Sequence, residues 1–85
     1  MKKIKLKKGL ISQKIGNTIN IFDGEKSTIY SFNQTATFIV ERIKQGLSKE
    51  NIISLVSKKY SVQKNLAEKD FNEFISELKS KKIIS

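Results

Sequence analysis

The chain carries eight carboxylates but no histidine and no cysteine. The acids are Asp23, Glu25, Glu41, Glu50, Glu68, Asp70, Glu73 and Glu77. Without an imidazole, no serine or cysteine nucleophile can be activated in the usual triad. Without thiolates or imidazoles, a zinc ion would have to rest on carboxylates alone, which suits it poorly. Paired carboxylates can move protons when their surroundings push their pKa values apart. Here Asp23 and Glu25 fall in a hairpin turn, and Glu73 and Glu77 share a helix face, so neither pair has such a setting. No Walker sequence or Rossmann glycine set is present. The expectation is a non-catalytic chain with no cofactor and no metal.

What remains is the chemistry of the backbone. Ser27-Thr28-Ile29-Tyr30-Ser31-Phe32 is rich in β-branched and aromatic residues and reads as a strand. It is the third of three strands, and a three-stranded sheet has two edges of unpaired N–H and C=O groups. The chain contains no proline to block such an edge. If a helix lies beside it, strand and helix frame a groove. An extended peptide could enter as a fourth strand. Tyr30 offers an apolar face with a polar tip, which suits such a surface. Phe71 and Phe74 stand three apart on the last helix, and one of them can form the groove floor. Lys64, Lys69 and Lys79 are placed to attract acidic side chains.

The elements that would position this edge follow from the hydrophobic periods. Thr18-Ile19-Asn20-Ile21 alternates with period two. Ile15-Gly16-Asn17 reads as a turn before it. Asp23-Gly24 reads as a hairpin after it, with Gly24 taking positive φ. Strands are expected near 10–15, 18–22 and 27–32. Asn33 then caps a first helix bearing Ala36, Ile39, Val40 and Ile43, with Phe38 to one side. Gly46 ends it. Ser48 caps a second helix with Ile52, Leu55, Val56 and Tyr60 on one face, widened by Ile53. Helices joined through Gly46-Leu47-Ser48 have the general form of a helix-turn-helix. Ser61 to Leu66 reads as a connector anchored by Val62 and Leu66. A third helix is expected from about Ala67 to Lys81, with Ala67, Phe71, Phe74, Ile75 and Leu78 inward, and Ile83-Ile84 tucked beside the core. The fold class is α+β, a three-stranded antiparallel sheet followed by three helices.

A chain of 85 residues makes one domain with a thin core. Residues 1–8 read as a basic, flexible tail and 9–85 as the domain. The tail holds Lys2, Lys3, Lys5, Lys7 and Lys8, and the whole chain has a net charge of +9 with Arg42 as its single arginine. Such a surplus favours anionic partners: phosphate, an anionic membrane surface or an acidic peptide. No apolar run approaches the roughly 20 residues needed to cross a bilayer. No secretory signal follows the basic start. A cytoplasmic address and no membrane insertion are expected.

From Gly9 to Ile84 the chain resembles the PqqD-like family, the recognition elements for ribosomally made, post-translationally modified peptides (RiPPs). The resemblance rests on Ile29-Tyr30-Ser31-Phe32-Asn33-Gln34-Thr35-Ala36 and Ile39. It continues through Gln45-Gly46-Leu47-Ser48-Lys49-Glu50-Asn51-Ile52, Phe71-Asn72-Glu73-Phe74-Ile75-Ser76-Glu77-Leu78 and Lys82-Ile83-Ile84. It implies a winged helix-turn-helix that binds the leader of a precursor peptide. The leader is then presented to a modifying enzyme, such as a radical SAM enzyme, or to a leader peptidase. It also implies that the leader pairs with Ser27, Thr28, Ile29, Tyr30 and Ser31, and lies against Glu68, Phe71, Asn72, Ile75 and Lys79 of the third helix.

The alternative is a winged-helix DNA-binding transcriptional regulator. The fold is common to both roles, and fold alone does not decide function. The positive charge and Lys49, Lys58 and Lys59 of the second helix favour it. The acids Glu68, Asp70, Glu73 and Glu77 of the third helix would be repelled by phosphate, and a single arginine gives little of the bidentate guanine reading that specific DNA contacts use.

Overall fold

The computed structural model describes residues 4–84. Three antiparallel strands, β1 (Leu10–Ile15), β2 (Thr18–Asp23) and β3 (Thr28–Ser31), form one sheet in the order β1-β2-β3. Three helices follow: α1 (Gln34–Lys44), α2 (Lys49–Tyr60) and α3 (Lys64–Ser80). The architecture is the α+β one expected, with strand limits within one residue of those read from the sequence.

Ile15 pairs with Thr18 across the two-residue turn Gly16-Asn17, where Gly16 has φ 62°. The second hairpin differs from expectation. Asp23 pairs with Thr28 across four residues, and the left-handed position is Ser27 (φ 51°) rather than Gly24. The Asp23 carboxylate organises this longer loop: Oδ1 accepts from the amides of Glu25 (3.1 Å) and Lys26 (3.4 Å). An Asx turn sets the first bend, and the φ reversal is left to the last loop residue.

The passage from sheet to helix is fixed by two side chains. Asn33 caps α1 by accepting the Ala36 amide at 2.9 Å. Thr37, one turn into α1, is buried. Its hydroxyl accepts the Ile19 amide at 3.0 Å and donates to the Phe32 carbonyl at 3.4 Å. The sheet's inner face, Ile19 and Ile21, is thereby held on α1, whose Ile39, Val40 and Ile43 join one buried cluster. Ile52, Ile53 and Val56 of α2 complete that layer, whereas Leu55, expected on the same face, is exposed.

Helix ends are closed by backbone motifs. After α1, Gly46 takes φ 82°, with Gly46 N–H donating to Ile43 and Leu47 N–H to Arg42. After α3, Lys82 takes φ 59°, its N–H donates to Lys79 and Ile83 N–H to Leu78. Both are Schellman closures, the second built without glycine. Its apolar contact joins Leu78 and Ile83, both buried. α3 begins at Lys64, about a turn earlier than expected, and Gln63 caps it with no side-chain bond. Leu66, expected as an anchor, is exposed on that added turn, while Val62 packs on the core.

The C-terminal residues Ile83 and Ile84 are buried. Of the segment 1–8, residues 1–3 lie outside the described residues. Leu6 makes an antiparallel bridge to Ile84, and the Lys7 amide donates to Ile83 at 2.8 Å.

Thr37→Val should cost about 1–3 kcal/mol, because it keeps the shape but strands the buried Ile19 amide. Phe71→Ala should cost about 3–5 kcal/mol by opening a cavity. Urea titration followed by circular dichroism measures both. Unchanged midpoints would contradict this account of the junction and the core.

Candidate functional site

β2 lies between its two neighbours, so β3 is bonded to β2 and its other side is unpaired among the described residues. The register decides which groups that side offers. Phe32 N–H donates to Ile19 at 3.1 Å, which marks Ile19 and Phe32 as a hydrogen-bonded pair. In an antiparallel ladder such pairs alternate with non-hydrogen-bonded ones. Tyr30 opposite Ile21, and Thr28 opposite Asp23, are therefore turned toward β2. Ile29 opposite Phe22, and Ser31 opposite Asn20, direct their N–H and C=O groups away from the sheet. Of the expected edge Ser27, Thr28, Ile29, Tyr30 and Ser31, two residues supply the free backbone groups. Thr28 and Tyr30 bond inward, and Ser27 belongs to the turn.

Side chains alternate along the same strand. Tyr30 points to the inner face, where its hydroxyl donates to the Lys81 carbonyl at 3.4 Å. The same carbonyl accepts Lys26 Nζ at 3.1 Å. Lys81 Nζ lies 6.0 Å from the Tyr30 ring centre and pairs with Glu77 at 2.6 Å. One turn further back, Phe74 meets Phe32 edge-on at 5.9 Å. The flank of α3 beside β3 is thus the stripe that runs through Phe74, Glu77 and Lys81.

The residues expected to wall the groove, Glu68, Phe71, Asn72, Ile75 and Lys79, lie outside this stripe. Phe71 is 1% exposed and Ile75 9%, and both are part of the core. Glu68, Asn72 and Lys79 are exposed, but at about 100° per residue they stand roughly 120–160° around the helix from Phe74. Glu68 instead lines a depression of about 350 Å³ with Glu50 and Ile53 of α2 and Lys64 and Asn65. A broad apolar stripe defines which side of α3 is buried but not which flank meets the sheet.

A second polar depression, about 270 Å³, is lined by Lys14, Gln34, Phe38, Glu41, Lys59 and Tyr60 among others. Its cations are already engaged. Lys14 pairs with Glu41 at 3.2 Å, and Lys59 lies over both Phe38 and Tyr60. Among the described residues no group of three or more metal-ligating side chains gathers, and no helix is long and apolar enough to cross a membrane.

No curated protein sequence matches the chain significantly. Its fold is similar to that of TbiB1 in complex with the TbiA(beta) leader peptide. The TM-score is 0.92 at 20% identity, covering 95% of this chain and 94% of that one. It is equally similar to lasso peptide synthetase B1 complexed with the leader peptide, with a TM-score of 0.92 at 21% identity over 99% of each chain. The family model described as coenzyme PQQ synthesis protein D (PqqD) matches residues 20–84, which take in most of β2, all of β3 and the three helices. With more than half of its length matched by that family model, this chain belongs to the PqqD family.

Proposed function

We propose that the chain is a non-catalytic, cytoplasmic peptide-binding protein. It captures the leader of a ribosomally made precursor as a fourth strand on β3. It then presents that precursor to a modifying enzyme, such as a radical SAM enzyme, or to a leader peptidase. The observation that carries this reading is the pair of outward-facing residues, Ile29 and Ser31, on an edge that no proline blocks. The bound leader peptides named for TbiB1 and the lasso peptide synthetase B1 support it. In this proposal the backbone of the leader pairs with Ile29 and Ser31. Its inward side chains lie against Tyr30 and the Phe74–Lys81 flank of α3. Lys26 supplies positive charge beside them. Ser27, Glu68, Asn72 and Lys79 border the site at greater distance.

The DNA-binding reading has no particular observation in its favour. Lys59 is stacked on aromatic rings, and α3 exposes Glu68, Asp70, Glu73 and Glu77. Those acids would face phosphate unfavourably.

Ser31→Pro removes an outward donor and leaves the β2 ladder intact, a position where edge strands tolerate proline. It should weaken binding of a fluorescently labelled precursor leader by about tenfold or more, the loss of roughly one charge-free hydrogen bond plus the strain on pairing. Circular dichroism should be unchanged. Wild-type affinity in the folded variant would sink the strand-addition proposal. Raising salt from 50 to 200 mM should cost the leader complex far less than the ~10³-fold or greater loss of a DNA-binding protein with many phosphate contacts. A loss of that size would instead indicate binding dominated by charge.

A further inference from the structure

The outer face of the sheet, turned away from the three helices, carries an apolar row among polar residues. Ile11 (63% exposed), Phe22 (38%) and Ile29 (65%) are direct neighbours in register, Ile11 opposite Phe22 and Phe22 opposite Ile29. An exposed isoleucine alone means little. A contiguous apolar row that crosses a whole sheet marks a contact surface. This row has one residue on each of the three strands. It runs to β3 and stops at Ile29, the residue whose N–H and C=O face outward. Phe22 and Ile29 form a non-hydrogen-bonded pair, the kind in which side chains lie closest. Phe22 and Ile29 are therefore direct cross-strand neighbours on the outer face.

A strand that adds to β3 must obey the pleat. The residue that exchanges hydrogen bonds with Ile29 has to place its side chain on the outer face, beside Ile29. Its two sequence neighbours then point inward, toward Tyr30 and α3. We infer that the outer face is a specificity surface for the leader, and that the leader residue paired with Ile29 is itself apolar, extending the row Ile11–Phe22–Ile29 to a fourth strand. The inference rests on the strand-addition reading and deepens it. A leader of simple alternating pattern would fill the inner flank and leave the outer position polar. This site instead selects two adjacent apolar residues, one for each face. A second copy of this chain is the poorer occupant, because each copy carries +9 and repels its like.

The test uses random linear peptides displayed on phage, selected on the immobilised full chain, with the enriched sequences resynthesised and titrated. Adjacent apolar pairs should be enriched. Ile29→Thr, which keeps strand propensity, should weaken the best peptide by about two- to fivefold, the range of one cross-strand apolar pair. Ile15→Thr, exposed on the same face but outside the row, should change affinity by less than about twofold, as surface substitutions do. Replacing the outer apolar residue of the peptide with serine should abolish the Ile29→Thr effect, as a double-mutant cycle requires of a direct contact. Enrichment of strictly alternating peptides whose affinity ignores Ile29→Thr would overturn this inference and leave strand addition standing. Failure to enrich any peptide that depends on the β3 edge would overturn both. Concentration-dependent self-association in sedimentation, lost in Phe22→Thr, would assign the face to a second copy and overturn the inference as well.

Discussion

The Thr37 hydroxyl holds the molecule's two halves in one frame. It accepts the Ile19 amide from β2 and donates to the Phe32 carbonyl at the end of β3. Both partners are buried, and breaking either bond would leave a polar backbone group unsatisfied away from water. This single side chain seats α1 beneath the sheet. Ile19 and Ile21 then have a layer to pack on, and α2 and α3 close around the same cluster. The core of a chain this size is small, so a fixed joint between sheet and helices matters more than it would in a larger domain.

Once that joint is set, the two sides of β3 acquire different roles. Its inner face is tied to the end of α3 by the Tyr30–Lys81 and Phe32–Phe74 contacts. Its free lateral side keeps Ile29 and Ser31 available. Open edges invite unwanted pairing, and natural sheets discourage it with charge, particularly lysine. Lys26 and Lys81 stand beside this edge, and the net charge of +9 sets copies of the chain against one another. In the proposed function Lys26 would favour an acidic incoming segment, Lys81 being paired with Glu77. In the same proposal the net charge guards the edge against a second copy while leaving it open to a peptide.

Helix α3 closes without glycine at its C-terminus. Lys82 takes the left-handed position at some conformational cost, offset by the burial of Ile83 against Leu78. The Leu6–Ile84 bridge then ties the segment before β1 to the segment after α3. This brings the Lys81 carbonyl to the place where Tyr30 and Lys26 meet it. The inner wall of the proposed groove thus depends on how the chain ends α3, not only on the helix itself.

Much of this was legible in the residues. Period-two alternation marked β2, β-branched and aromatic composition marked β3, and helical spacing marked all three helices, because burial on one side of an element imposes its own repeat on the sequence. Asn33, Ser48 and Gly46 marked helix ends because their side chains, or the lack of one, satisfy local backbone needs. The absence of histidine and cysteine removed the common catalytic and metal-binding schemes. The start of α3 was missed because Gln63 makes no side-chain cap. In the second hairpin the Asp23 carboxylate sets the first bend, and the left-handed position falls at Ser27 rather than Gly24. Tertiary structure alone decided which flank of α3 meets β3, which edge residues face outward, and that Ile11, Phe22 and Ile29 stand in one row. The sequence sets each element's own repeat, but the rotation of one element against another comes from long-range packing and strand register, which local spacing does not encode.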